Sequence, residues 1–417
     1  MARVRDDDFE QTRLLIEELC CDLCRFKHAT EEGLPMDAVR IDREFFLGKP
    51  EAFADIRVAV GDHAPYFLEV KFKYSFEKLL SRLAFKFGSA GPAISGEQKV
   101  VLVIDTEGRA GWPEMERRLR ESLNPALKLE VWDERFLFGL VRDQLGITVT
   151  TLDPGTLHEL REAVDRAKGF YAFGQGSAEK YVYHPLHAQL IWHLGFWRVK
   201  KLREEHGFSP RDILPPGLYR KAIVVVADMC GFSGYVRATE DERIIRDNLT
   251  AFYSKARYQI INSGGLFYQF VGDEVIAVFG IPDRSSGDAE KALETAQRLL
   301  QIGLSISMEW QRQINLIQPV RGFHLGINIG DLQIVSLRPF SRSQMGAIGD
   351  NINTAARLMS VAGPNEIVIS NAFRNCLTTE SQRIFFEMAP IEAKNIGSVQ
   401  AWKNICIPDS VSRSDRQ

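Results

Sequence analysis

The chain has 417 residues, 45% of them hydrophobic and 26% charged, with a formal net charge of −3. That length exceeds what one hydrophobic core serves, so two domains and a connector are expected, and the balanced charge excludes a global polycation, leaving only local nucleic-acid contacts. The longest apolar runs, Lys99 to Ile104 and Ala222 to Val226, are strand-sized, and the amino terminus opens on Arg3, Arg5, Asp6, Asp7 and Asp8, so a cytoplasmic location without membrane contact is expected.

Residues 1–150 alternate helix and strand. Periodicity predicts a helix near Phe9 to Phe26, strands near Ala54 to Val60 and Tyr66 to Lys73, and a helix near Phe76 to Phe87. A strand at Lys99 to Asp105, a helix near Trp112 to Ser122, a strand at Leu127 to Trp132 and a helix near Arg135 to Gln144 complete an α/β domain. The six cysteines are scattered and make no disulfide framework. Cys21 and Cys24 have C-x-x-C spacing, but with Leu15, Ile16 and Leu19 they read as the inner face of an amphipathic helix.

Asp55 opens one strand and Glu69-Val70-Lys71 lies within the next, with Glu17 or Glu18 available from the first helix. Two carboxylates and a lysine can hold one metal ion and position a water. Lys78, Arg82 and Lys86 follow at i, i+4, i+8, a basic stripe suited to a phosphate backbone. The arrangement resembles the D…E-x-K pattern of the restriction-endonuclease-like fold. That resemblance implies either a nuclease site or a nuclease-like fold kept for sensing, with a nucleic-acid or phage-component contact through this domain.

Residues 151–217 read as a helical connector, with Leu190, Leu194 and Trp197 at i, i+4, i+7 and a boundary at Pro215-Pro216-Gly217. Residues 218–405 then give a strand (Ala222 to Asp228), a helix (Ser233 to Ser263), strands Leu266 to Val271 and Glu274 to Phe279, and a helix (Ser286 to Gln313). Strands Arg321 to Ile329 and Leu332 to Leu337, a helix (Asn351 to Ser360), a strand (Glu366 to Ile369), a helix (Asn371 to Leu377) and terminal strands follow. Paired strands with interleaved helices predict an α+β sandwich. Residues 406–417 are a polar tail.

Chemistry concentrates in three segments of this second domain. Asp228 closes an apolar run and is followed by Met229-Cys230-Gly231-Phe232-Ser233, so backbone amides at a helix start face whatever the carboxylate holds. Gly272-Asp273-Glu274 is a hairpin turn that projects a second carboxylate beside the first if its strands flank the first strand. Two such aspartates suit two divalent cations and in-line phosphoryl chemistry. Gly349-Asp350-Asn351-Ile352-Asn353-Thr354-Ala355-Ala356-Arg357 opens a helix with Asn353 and Arg357 on one face, an amide to orient a ribose and a cation to offset phosphoryl charge.

In this order and spacing the three segments resemble the catalytic domain of class III nucleotidyl cyclases, over about Leu218 to Asn404. The resemblance implies cyclisation of a nucleoside triphosphate to a 3′,5′-cyclic monophosphate with loss of pyrophosphate. It implies that Asp228 and Asp273 hold two Mg²⁺ or Mn²⁺ ions with help from the Met229 carbonyl. It also implies a homodimer with interfacial sites, in which Asn353 and Arg357 come from the partner subunit, and a phosphate-gripping lysine near Lys394. Where adenylate cyclases of this class carry Lys and Asp or Thr, this chain has Gln269 and Gly346, and it lacks the Glu and Cys of guanylate cyclases. Gln269 offers both a donor and an acceptor to a pyrimidine edge. The departures therefore lean toward the pyrimidine (uridylate or cytidylate) cyclases of bacterial anti-phage systems, whose product alerts a separate effector. UTP ranks ahead of CTP, and adenylate cyclase activity is the alternative. A degenerate cyclase module on a nucleic-acid-binding or nuclease protein is the other.

Overall fold

The computed structural model describes residues 7–61, 63–91, 99–106, 109, 111–151, 154–174, 185–337, 344–393 and 397–405. It divides into two compact units, residues 1–167 and 168–417.

The first unit carries α1 (Asp7–Glu32), β1 (Val39–Phe46), β2 (Phe53–Val60), β3 (Tyr66–Val70), α2 (Phe76–Phe87), β4 (Lys99–Val103), α3 (Trp112–Ser122), β5 (Lys128–Trp132), α4 (Glu134–Leu145) and the start of α5 (Pro154–Phe173). Its sheet runs β1-β2-β3-β4-β5. The first three strands form an antiparallel meander, and β4 and β5 join parallel to β3. Leu79, Leu83 and Phe87 of α2 and Leu119 of α3 pack on Val100, Leu102 and Phe67, while α1 lies against β1, β2, β3 and α4. Strand β1 is absent from the sequence reading. Arg40, Asp42, Arg43 and Glu44 interrupt its alternation, and the last three are buried in ion-paired surroundings rather than exposed, with Arg43 bound to Glu17 and Asp42 to Arg57.

The second unit begins with the remainder of α5, then α6 (Pro185–Leu194), α7 (Phe196–His206) and α8 (Pro210–Ile213). Next come β6 (Gly217–Met229), α9 (Phe232–Ala238), α10 (Glu242–Asn262), β7 (Leu266–Val271), β8 (Glu274–Phe279), α11 (Asp288–Ile314), β9 (Phe323–Leu337), β10 (Gln344–Ile348) and α12 (Asp350–Ser360). The chain closes with β11 (Glu366–Ser370), α13 (Asn371–Arg374), α14 (Thr379–Gln382), β12 (Phe386–Glu387), β13 (Ile391–Ala393), β14 (Gly397–Val399) and β15 (Ala401–Ile405). The main sheet runs β12-β15-β11-β9-β6-β8-β7, with β10 paired to β9.

Helices cover both faces of this sheet. A side chain at Gly303 of α11 would collide with Phe323, so α11 packs on the face bearing odd-numbered β9 side chains. Gly326 faces the other way, and a Cβ there would stand 2.0 Å from the Ala355 carbonyl of α12. The α+β sandwich read from the sequence is the fold observed.

Three boundaries differ. The single helix expected over Ser233 to Ser263 is two, because the Asp241 carboxylate accepts the Arg243 N–H and caps a new start. The two strands expected over Arg321 to Leu337 are one continuous β9. Strand β10 has no counterpart in the sequence reading. The polar tail, residues 406–417, lies outside the described residues.

Candidate functional site

Strand β6 delivers Asp228 at its carboxyl end. Gly231 then takes φ 73, a left-handed turn that lets the chain enter α9 at once. Strand β8 lies directly beside β6, with Ala227 opposite Val275. The β7–β8 turn at Gly272, φ 64, therefore brings Asp273 next to Asp228. Tyr253 of α10 donates its hydroxyl hydrogen to the Gly272 carbonyl and pins that turn.

The two carboxyl groups share a hydrogen bond, and the backbone N–H groups of Met229 and Asp273 donate to Asp273. Burial, then the charge of Asp228, pushes the Asp273 carboxyl up to about 7. Glu274 is raised for the same two reasons. His324, opposite Asp228 across β6–β9, places Nε2 3.2 Å from Asp228 Oδ2 and Nδ1 3.1 Å from the Ala362 carbonyl. Burial disfavours the charged ring, but the bonds to Asp228 and Ala362 outweigh it and the net shift is upward.

Carboxylates this close repel, and they are stable together only with a shared proton or a cation between them. An all-oxygen donor pair at two half-buried aspartates fits Mg²⁺ or Mn²⁺. Glu274, His324 and Tyr253 escaped the sequence reading as site residues. Only strand register reveals His324, since 96 positions separate it from Asp228.

Asn353 and Arg357 share the exposed face of α12. Asn351, on the opposite face, donates to the Ala222 and Gly330 carbonyls at 2.8 and 3.0 Å and accepts from Asn328 at 2.9 Å, which fixes the start of the helix. Among the described residues neither Asn353 nor Arg357 has a side-chain hydrogen bond or ion pair with Asp228 or Asp273. Phe232 and Ser233 form the first turn of α9. Gln269 is exposed on β7 and Gly346 buried on β10. A hydrogen bond of 3.0 Å from the Ala347 N–H to the Tyr268 hydroxyl brings their neighbours together. Lys394 lies outside the described residues.

In the first unit Asp55, Glu69 and Lys71 do converge. Lys71 Nζ is 2.8 Å from Glu69 and also bonds Asp55. Lys86 Nζ lies 2.9 and 2.7 Å from the two Glu69 oxygens and 3.6 Å from Asp55. Burial alone would raise Asp55, yet Lys71 and Lys86 hold it well below the carboxylate range. Two carboxylates and two ammonium groups sum to zero, so the cluster as folded offers a dication no net negative charge and does not fit one. Glu17 pairs instead with Arg43 and Arg13. Lys86 leaves the expected basic stripe because Glu69 draws it inward, while Lys78 and Arg82 stand over the Tyr74 ring. Cys20, Cys21 and Cys24 are fully buried, and burial pushes the Cys24 thiol up to about 11.

Residues 215–402 match the family model for the adenylate and guanylate cyclase catalytic domain. Receptor-type guanylate cyclase gcy-10 of Caenorhabditis elegans is 26% identical over 46% of this chain and 18% of its own length. Receptor-type guanylate cyclase gcy-23 of the same organism is 24% identical over 45% of this chain and 17% of its own. The chain thus spans less than a fifth of these relatives. Among solved structures, the adenylyl cyclase CyaB from P. aeruginosa is 24% identical, covering 45% of this chain and 94% of that one with a TM-score of 0.40. The guanylyl cyclase Cya2 is 20% identical, covering 46% and 98% with a TM-score of 0.40. No helix among the described residues is long and apolar enough to cross a membrane.

Proposed function

Residues 215–402 belong to the adenylate and guanylate cyclase catalytic domain family, and from that premise we propose that this chain cyclises a pyrimidine nucleoside triphosphate, UTP ahead of CTP. The ribose 3′ oxygen attacks the α-phosphorus, the bond to the β-phosphate oxygen breaks, pyrophosphate leaves and the hydroxyl proton passes to solvent. The observation that carries the reading is the Asp228–Asp273 contact, with Asp273 pushed up to about 7 by burial and by its neighbour.

Asp228 and Asp273, with the Met229 carbonyl, hold two Mg²⁺ or Mn²⁺ ions. Once bound, these ions lower the pKa of the attacking hydroxyl and neutralise the leaving oxygens. Gly231, Phe232 and Ser233 turn backbone amides toward the polyphosphate, and Lys394 grips its end. Asn353 orients the ribose, and Arg357 offsets charge on the phosphoryl group in flight. Both come from the partner subunit of a homodimer. Gln269 pairs with the pyrimidine edge, and Gly346 leaves room without directing an acceptor. The product is a cytosolic alarm signal in anti-phage defence, read by a separate effector, and the amino-terminal unit senses the trigger through nucleic acid or another phage component.

Purified protein incubated separately with ATP, GTP, CTP and UTP plus Mn²⁺, with products identified by mass, tests the chemistry. Cyclic UMP or cyclic CMP is expected. Exclusive cyclic AMP would overturn the pyrimidine assignment and leave the cyclase reading standing. For the physiological role, cyclic pyrimidine nucleotide should accumulate in cells carrying the chain only after phage infection.

A further inference from the structure

Strand β7 is the outer strand of the main sheet, so one row of its backbone groups lacks a sheet partner. Helix α6 covers part of that edge. His193 Nδ1 lies 2.7 Å from the Phe267 carbonyl, and since a carbonyl only accepts, Nδ1 carries the hydrogen. Burial lowers the pKa of His193, in keeping with a neutral ring. Trp192 meets the Phe267 ring edge-on at 5.6 Å. Arg257 of α10 in turn holds α6, standing 4.2 Å from the Trp192 ring and donating to the Trp192 and Ile191 carbonyls. Arg198 of α7 donates to the Gly264 and Ile281 carbonyls, which bracket the β7–β8 hairpin.

The grip falls on an irregular point of the strand. Phe267 opposes Ala277 and Gln269 opposes Ile276, adjacent residues on β8, so Tyr268 is the extra residue of a β-bulge. Its hydroxyl accepts the Ala347 N–H of β10, one residue from Gly346. His193 therefore holds the carbonyl entering the bulge, and Tyr268 ties the bulge to β10. Gln269 and Gly346, the two positions proposed to meet the base edge, directly flank the Tyr268–Ala347 bond, and Gln269 lies two residues beyond the carbonyl that His193 holds.

We propose that His193 and Tyr268 are positioning residues for base selection, fixing the bulge and with it the spacing between Gln269 and Gly346. The inference rests on the cyclase reading but not on which base is preferred. A bulge re-aims the side chains that follow it, so loosening either anchor changes where the Gln269 amide stands relative to β10. Among the described residues the bonds of His193 and Tyr268 run to Phe267 and Ala347 and not to Asp228 or Asp273, so the consequence falls on discrimination rather than on the bond-making step.

Full-length wild type, Tyr268→Phe, His193→Phe and His193→Asn are compared for kcat and KM with each of the four triphosphates under Mn²⁺. Tyr268→Phe and His193→Phe are expected to narrow the kcat/KM ratio between the best and second-best base by about tenfold, mainly through KM. The kcat for the preferred substrate should stay within about threefold of wild type. His193→Asn, whose side-chain N–H replaces the Nδ1 hydrogen, should keep the wild-type ratio. Unchanged ratios in both Phe variants, or equal losses for all four bases, would overturn the inference. Tyr268→Phe deletes one hydroxyl only and keeps the test open if His193→Phe, at a half-buried position, fails to fold. A wild type that turns over none of the four sinks the cyclase reading itself, whereas an active wild type with unaltered variants sinks this inference alone.

Discussion

At the scale of single residues, the proposed metal role of Asp273 would join stability to metal binding. Its carboxyl keeps a proton up to about pH 7 in the folded chain, against about pH 4 when unfolded. Between those values the folded state binds the extra proton, so metal-free stability falls as pH rises from about 4 to about 7 and is level above. A cation must displace that proton below pH 7. Mn²⁺ is therefore expected to raise the melting temperature more at pH 8 than at pH 5.5, and Asp273→Asn should erase the difference. An equal Mn²⁺ shift at both pH values in wild type would remove Asp273 from the ligand set. Arg357 is exposed, and its proposed role is to offset charge that exists only during reaction. Arg357→Ala should lower kcat by about 10²–10³ with little change in KM or melting temperature, and a KM effect alone would recast it as a ground-state contact.

At the scale of elements, α12 is set by one missing side chain. With a Gly326 Cβ only 2.0 Å from the Ala355 carbonyl and 2.3 Å from the Met359 nitrogen, Gly326→Val has to lift the helix from β9. A loss of about 1–3 kcal/mol in denaturant melts and a fall in kcat are expected, and unchanged melts would mean that α12 does not need this approach. Lys86 of α2 gives the parallel test in the first unit. Lys86→Met leaves Asp55, Glu69 and Lys71 at a net charge of about −1. On an Asp273→Asn background it should create a Mn²⁺ site visible by EPR titration. Binding by the unaltered cluster would instead restore the nuclease-site reading. These elements also show what a sequence discloses. The approach of Asp273 to Asp228 and the shared face of Asn353 and Arg357 were legible because glycines and a helix start bracket them in short, local signatures. Strand β1 was not, because its charges are buried in pairs that only the fold assembles. His324 and the inward turn of Lys86 were equally hidden, since each answers to a carboxylate on another element.

For the whole molecule, the exposed and unengaged state of Asn353 and Arg357 on one face of α12 is the feature to explain. Nothing in one protomer brings them to Asp228 and Asp273 by hydrogen bond or ion pair among the described residues. The proposed two-fold dimer would answer this, because an isologous pairing would present the carboxylates of each subunit to the α12 face of the other and build two equivalent sites. The arrangement makes a quantitative demand. Asp273→Asn and Arg357→Ala should each be inactive alone, the first lacking a metal ligand in both sites and the second lacking the cation in both. Mixed in equal amounts and allowed to exchange subunits, half the dimers are heterodimers, each with one intact and one doubly defective site. The mixture should then recover about a quarter of wild-type activity per protomer. Recovery should appear only above the concentration at which the protein dimerises in sedimentation. No recovery in a mixture shown to exchange would place all four residues in one subunit's site and refute the shared-site dimer.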